Sequence, residues 1–236
     1  MSEERISRSA VFALSSQLTG AVMTAVLTVF LGRRLSPDQY GSFAFAMSVI
    51  ILATLFADAG ITTSSGRFLA ERRGDPEAAA EVLRTSIRLK VRVALVASVA
   101  LFALAAPICD AFGTHAAIWP LRGLAFTLFG QGMFQMMLGA FIALGKIRYN
   151  LAISAIEGAV ELIASVALVL AGGAATGAAF GNALGYAAGL AASLFIAHRV
   201  IGSLRAGGAR PRAPGSTMPA VSAREILLYA RPLLVV

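Results

Sequence analysis

Two glutamates, Glu157 and Glu161, stand four residues apart in the stretch AISAIEGAVELIASVALVL (152–170), where every other residue is apolar or small. On a helix this spacing puts both carboxylates on one face. A carboxylate drawn out of water needs a proton, a cation or a hydrogen-bond donor beside it. The pair is therefore a candidate ion or proton site, with a polar contact between helices as the plainer alternative. Similar apolar surroundings hold Gln17, Asp58, Gln131 with Gln135, Asn182 and Arg231. The candidate ion or substrate pathway is thus Glu157, Glu161, Arg231, Gln17, Gln131, Gln135 and Asn182. Within it, Glu161 is expected to exchange between protonated and charged forms, with Arg231 as its candidate partner. Gln131 and Gln135 share a face and suit hydrogen bonding between helices. Asp58 is expected to cap a helix or to pair with a loop arginine.

No constellation for covalent or metal chemistry accompanies these residues. Cys109 is the sole cysteine, which excludes a disulfide framework and a CxxC metal site. His115 and His198 are far apart, and no Gly-rich loop ends in Lys-Ser or Lys-Thr as a P-loop does. No catalytic residue, metal ligand or cofactor is assigned, and the chain is not expected to be an enzyme.

The elements that must hold the acids are apolar. Of 236 residues, 58% are hydrophobic and only 14% charged, where a soluble domain carries about a quarter. Mean hydropathy is +0.78. No charged residue interrupts 9–32, 40–57, 93–109 or 123–145, and 151–197 is charged only at the two glutamates. Uncharged runs of this length point to membrane spans. The last run is too long for one crossing, and Gly172 and Gly173 mark the place for a turn. The expected fold is an all-α polytopic membrane protein. Residues 1–201 form a six-helix N-terminal lobe, 202–225 a cytoplasmic linker rich in Gly, Pro, Ser and Arg, and 226–236 the start of a seventh helix. The apolar part of that seventh segment is short of the ~20 residues a crossing needs, so a second lobe is expected beyond this sequence.

Basic residues are unevenly shared among the loops. The second loop carries Arg67, Arg72, Arg73, Arg84, Arg88, Lys90 and Arg92; the third has none before Arg122, and the fifth, around Gly172, has none. The fourth has Lys146 and Arg148, and the sixth Arg199, Arg205, Arg210, Arg212 and Arg224. The first loop has Arg33 and Arg34, and the N-terminus Arg5 and Arg8. This alternation places the N-terminus and the even loops in the cytoplasm. The net charge of +8 then belongs to loops beside anionic lipid and does not call for nucleic acid as a partner. Within the second loop, Asp75 is placed as a helix N-cap with Pro76 at the first helical position, and Arg84, Arg88 and Arg92 line one face. In the first loop, Ser36 is placed as a cap before Pro37.

The sixth span carries glycines at Gly173, Gly177, Gly181, Gly185 and Gly189, one every four residues. In lipid, small residues at this spacing let two helix backbones approach closely, so the row is read as a helix-packing face.

Four short segments, in order, resemble a family. LGRRLSPDQYG follows the first span, DAGI closes the second, GKIRYN joins the fourth to the fifth, and YARPLL opens the seventh. Together they resemble the first half of the polysaccharide-export and O-antigen flippases, in the multidrug/oligosaccharidyl-lipid/polysaccharide exporter superfamily. The resemblance implies twelve to fourteen helices in two lobes around a central cavity. It also implies transfer of an undecaprenyl-linked oligosaccharide across the bacterial plasma membrane for polysaccharide or lipopolysaccharide assembly. Implied partners are the lipid-linked oligosaccharide, membrane lipids, protons or sodium, and polysaccharide polymerase and chain-length proteins. The related drug exporters place acids on the first and fifth helices. Here the first helix carries Gln17, Thr19 and Thr24 instead. A cation-coupled small-molecule antiporter is the alternative activity, and a membrane scaffold a third reading.

Overall fold

The computed structural model describes residues 3–58, 60–72 and 75–206. Among these, all regular structure is helical: α1 (Glu3–Arg34), α2 (Pro37–Asp58), α3 (Ile61–Glu71), α4 (Pro76–Ala111), α5 (Ile118–Ala143), α6 (Arg148–Leu168) and α7 (Ala174–Ala206). Five stretches are long and apolar enough to cross a membrane: Leu14–Arg34, Pro37–Asp58, Glu77–Ala111, His115–Ala143 and Arg148–Arg199. The last is 52 residues. As a single helix it would reach roughly 78 Å, more than twice the ~30 Å hydrocarbon core. It does not run straight. The chain reverses over Val169–Gly173, where Gly172 takes φ 92° and Ala174 φ 44°. The result is a polytopic all-α membrane protein in which α1, α2, α4, α5, α6 and α7 have the length to cross and α3 does not.

Local sequence sets the helix ends. Ser36 Oγ accepts from the Gln39 backbone N–H at 3.3 Å while the Gln39 side chain accepts from the Ser36 N–H at 3.2 Å, a reciprocal capping box that starts α2. Asp75 caps α4 as its sequence position predicts, accepting from Glu77 N and Ala78 N, with Pro76 next. Gly145, at φ 71°, supplies the left-handed residue in the turn between α5 and α6.

Two segments differ from the sequence expectation. The stretch from Ile61, assigned to the second loop by its place after the second span, forms the eleven-residue α3. Ile61, Ser64, Ser65 and Leu69 recur at helical spacing and are buried, so one face is held against its neighbours. The basic helix after Asp75 and the third span are one continuous helix of 36 residues, longer than the bilayer requires. The expected start of a seventh helix, 226–236, and the linker from 207 onward lie outside the described residues.

The central helix is α5, buried along most of its length and packed against α4, α7, α2 and α3. One apolar cluster joins Ile61, Leu69, Val82, Phe134, Met137 and Ile153, and a second joins Ile50, Leu101, Cys109, Leu121, Leu124 and Leu128. A third ties α1 to α7 and to the reversal before it through Leu27, Leu31, Val169 and Ala178. Large apolar side chains such as Leu18, Phe56 and Ile163 face outward, as a lipid solvent permits.

The glycine row lies against α6. A Cβ on Gly177 would meet Leu168, one on Gly181 would meet Ser165, one on Gly185 would meet Glu161, and one on Gly189 would meet Glu157 and Phe134. The pairing descends α6 as it ascends α7, so the two helices form an antiparallel hairpin in backbone contact. Gly173 sits at its turn, close to the Leu168 carbonyl.

Candidate functional site

The hairpin brings together the two patterns that the sequence presents separately, because the glycine row backs the glutamate face. Glu157 is buried and Glu161 half-buried. Asn182, on α7 within the glycine stripe, donates from Nδ2 to Glu161 Oε1 at 2.6 Å. The Asn182 amide oxygen is buried without a hydrogen-bond partner.

Both glutamates line a cavity of about 670 Å3. Its wall combines α1 (Ser16, Gln17, Met23, Thr24), α5 (Phe134, Gln135), α6 (Asn150, Ser154, Glu157, Glu161) and α7 (Asn182, Tyr186). The α1 side is fixed to α6 by the Ser16–Ser154 hydroxyl pair at 3.1 Å, and by Gly158, where a Cβ would meet Met23 at 3.2 Å. The described lining holds two acids and no basic side chain. Its polar groups are otherwise uncharged hydroxyls and amides.

Gln17, Gln135, Asn182, Glu157 and Glu161 therefore share one cavity. Gln131 is not among its lining residues. It instead accepts from Thr54 Oγ1 at 3.3 Å, joining α5 to α2. Arg231, the expected partner of Glu161, lies outside the described residues.

Asp58 corrects the expectation in part. It pairs, but with Lys90 of α4 and not with an arginine. Lys90 Nζ and Thr62 Oγ1 both donate to Asp58 Oδ1. Lys90 is 1% exposed, whereas the Asp58 side chain keeps 33% of its surface. A smaller cavity of about 190 Å3 adjoins the pair, and Thr62 and Gln135 line both cavities. Lys90 is the polar residue that sequence reasoning missed, having been grouped with the loop arginines. A signal was present. Arg84, Arg88 and Arg92 occupy one exposed face, while Lys90 lies about 200° round the helix from Arg88 at 100° per residue. Room for its stem comes from Gly132, where a Cβ would meet Lys90 Cε at 3.3 Å.

A family model described as "Polysaccharide biosynthesis protein" matches residues 6–236. The chain belongs to this polysaccharide biosynthesis protein family. No functionally curated protein matches the sequence. Among solved structures, this family member is similar to "Crystal structure of MATE in complex with MaD3S", with TM-score 0.75, 16% identity, and coverage of 96% of this chain and 50% of that one. It is also similar to "Outward-facing conformation of a multidrug resistance MATE family transporter of the MOP superfamily", with TM-score 0.69 and 16% identity over 96% and 50% of the two chains. A third, "Crystal structure of MATE in complex with Br-NRF", gives TM-score 0.67 at 16% identity over 96% and 53%. The chain thus shares its fold with these structures and spans about half the length of each.

Proposed function

We propose that the protein is a flippase that moves an undecaprenyl-linked oligosaccharide across the bacterial plasma membrane, using the Glu157–Glu161 cavity as its ion-coupling site. Family membership supports the substrate class, and the shared fold supports a transporter over an enzyme. In this reading, residues 1–201 are an N-terminal transmembrane lobe and 202–225 a linker leading to the helix that begins at 226. The N-terminus and the basic loops lie in the cytoplasm. Polymerase and chain-length proteins are the partners this role implies.

The observation that carries the coupling proposal is the composition of the cavity: two acids, no base, and the unpartnered Asn182 oxygen beside Glu161. Oxygens of this kind, deep in a helical lobe, accept protons or sodium ions. Glu161 lies about 20 Å along α6 from Arg148, too deep for its carboxylate to reach water beyond the span. Two ionised acids repel an anionic lipid-linked headgroup. Occupancy of the pair by a proton or a cation changes the charge the cavity presents to that headgroup, which links ion binding to substrate binding at one site. A cationic drug would instead compete with the ion. That contrast separates this reading from the alternative, a cation-coupled small-molecule antiporter, which the likeness to a multidrug resistance transporter favours.

The test is Glu161→Gln in flippase-deficient cells. The variant keeps a hydrogen-bonding group for Asn182 and should reach the membrane at normal levels. Polysaccharide export should fall at least tenfold, the scale of a lost ionisable group acting on a proton, and the remainder should no longer follow the proton or sodium gradient. Wild-type export with unaltered gradient dependence would leave the acids as contacts between helices.

A further inference from the structure

Away from the acid cavity, a second recess of about 550 Å3 opens on the outer surface between α2 and α4, with α5 as its floor. Phe56 of α2, Val96, Leu101 and Leu104 of α4 and Leu128 of α5 line it, and every lining residue but one is apolar. Phe56 and Val96 are 75% and 69% exposed. The exception is Arg92, at one end.

Three features identify what fills the recess. Its lining is apolar and its rim carries the exposed Phe56 and Val96, a surface suited to hydrocarbon and not to water. Its α4 wall runs from Arg92 to Leu104, about 18 Å at helical rise, close to the depth of one leaflet in a ~30 Å hydrocarbon core. Its charged end is at headgroup depth, since Arg92 stands on α4 beside the terminus of α2 at Asp58. Arg92 is exposed and forms no ion pair or hydrogen bond among the described residues. Asp58, which follows the lining residue Ala57 at the end of α2, is already engaged by Lys90. The recess therefore offers one unpaired guanidinium over one leaflet's depth of apolar channel.

We propose that this groove is a binding site for an anionic phospholipid of the leaflet on the basic-loop side, one acyl chain lying along Val96, Leu101 and Leu104 and the phosphate held by Arg92. The site is separate from the acid cavity, with which it shares no lining residue. Arg88, one turn earlier and also exposed, does not line the groove and serves as the control for unspecific charge.

Native mass spectrometry of the full-length protein, released from detergent with added phosphatidylglycerol or phosphatidylcholine of matched chains, tests the site. The wild type should retain one phosphatidylglycerol at a concentration at least about fivefold below that for phosphatidylcholine, the preference one arginine confers near anionic lipid. Arg92→Gln should lose the preference and Arg88→Gln keep it. Val96→Trp, which fills the channel from an exposed position, should weaken both lipids. Any of four results overturns the proposal: Arg92→Gln keeping the preference, Arg88→Gln losing it equally, Val96→Trp binding as wild type, or a dimer that forms in place of lipid retention and marks the groove as a contact between copies.

Discussion

Gly185→Ala adds one methyl group where α7 crosses the base of Glu161. The new Cβ would stand 2.6 Å from Glu161 Cβ, 3.0 Å from Glu161 Cα and 3.1 Å from the Glu157 carbonyl oxygen. Carbon atoms rest at about 3.5–4.0 Å, so the two helices must part by roughly 1 Å. All three obstructing atoms are backbone or fixed to it, and no side-chain rotation relieves them. A gap of 0.5–1 Å forfeits a quarter to a half of the dispersion attraction of the atoms it separates. Those atoms belong to the most extensive helix contact in the described structure. Overpacking of this kind costs about 1–3 kcal/mol. Two kcal/mol corresponds to a melting point roughly 4–8 °C lower for a chain of this size.

The assay is thermal unfolding in detergent, with Ala187→Leu as the paired control. Ala187 lies on the same helix but is exposed, so added bulk there meets lipid or detergent and should shift stability by less than about 0.5 kcal/mol. The same parting lengthens the 2.6 Å bond from Asn182 to Glu161, so Gly185→Ala should also disturb export. Equal melting points for Gly185→Ala, Ala187→Leu and wild type would refute the close approach of α6 and α7.

The Asp58–Lys90 pair should respond unequally to its two deletions. Asp58→Ala strands a buried ammonium and should cost about 3–5 kcal/mol, whereas Lys90→Met leaves a carboxylate that still reaches solvent and should cost less; a reversed order in urea or thermal unfolding would contradict the burial of Lys90. In a Cys109→Ala background, an impermeant thiol reagent should label Ala116→Cys but not Glu81→Cys in intact cells. Labelling of Glu81→Cys would invert the proposed topology. Gly132→Ala should crowd the Lys90 stem and lower stability by up to about 1–3 kcal/mol, with little effect if combined with Lys90→Ala.

The spans were legible because each is an uncharged apolar run with its own punctuation: the Ser36 and Asp75 caps and the glycines at 145 and 172. The short α3 was not, since GITTSSGRFLAE is rich in turn-forming residues, and its helix is held by burial of Ile61, Ser64, Ser65 and Leu69 rather than by propensity. Lys90 was concealed by its neighbours. Seven basic residues in one region read as a single solvated group, and only the helical phase of Arg84, Arg88 and Arg92 separates the one that points inward. Gln131 and Gln135 share a helix face in sequence, yet one joins α2 and the other lines the cavity. Four residues of helical rise place them at different depths, and the neighbouring helices differ there.

The acid pair and the glycine row were each visible, and their apposition follows from one further residue. Once the turn is placed at Gly172, an antiparallel hairpin sets positions equally far from it against one another, so the row from Gly177 to Gly189 must meet α6 from Leu168 back to Glu157. The consequence reaches past stability. Where Gly185 and Gly189 touch Glu161 and Glu157 at Cβ, the α7 backbone occupies one side of each glutamate's base, and both acids line the cavity. Leucine or valine in the row would hold α7 off, loosen the Asn182 contact and let the carboxylates turn into the space between the helices. The glycines thus place the acids as much as they pack the hairpin, and a helix with the same two glutamates facing a bulkier partner would not present the same site.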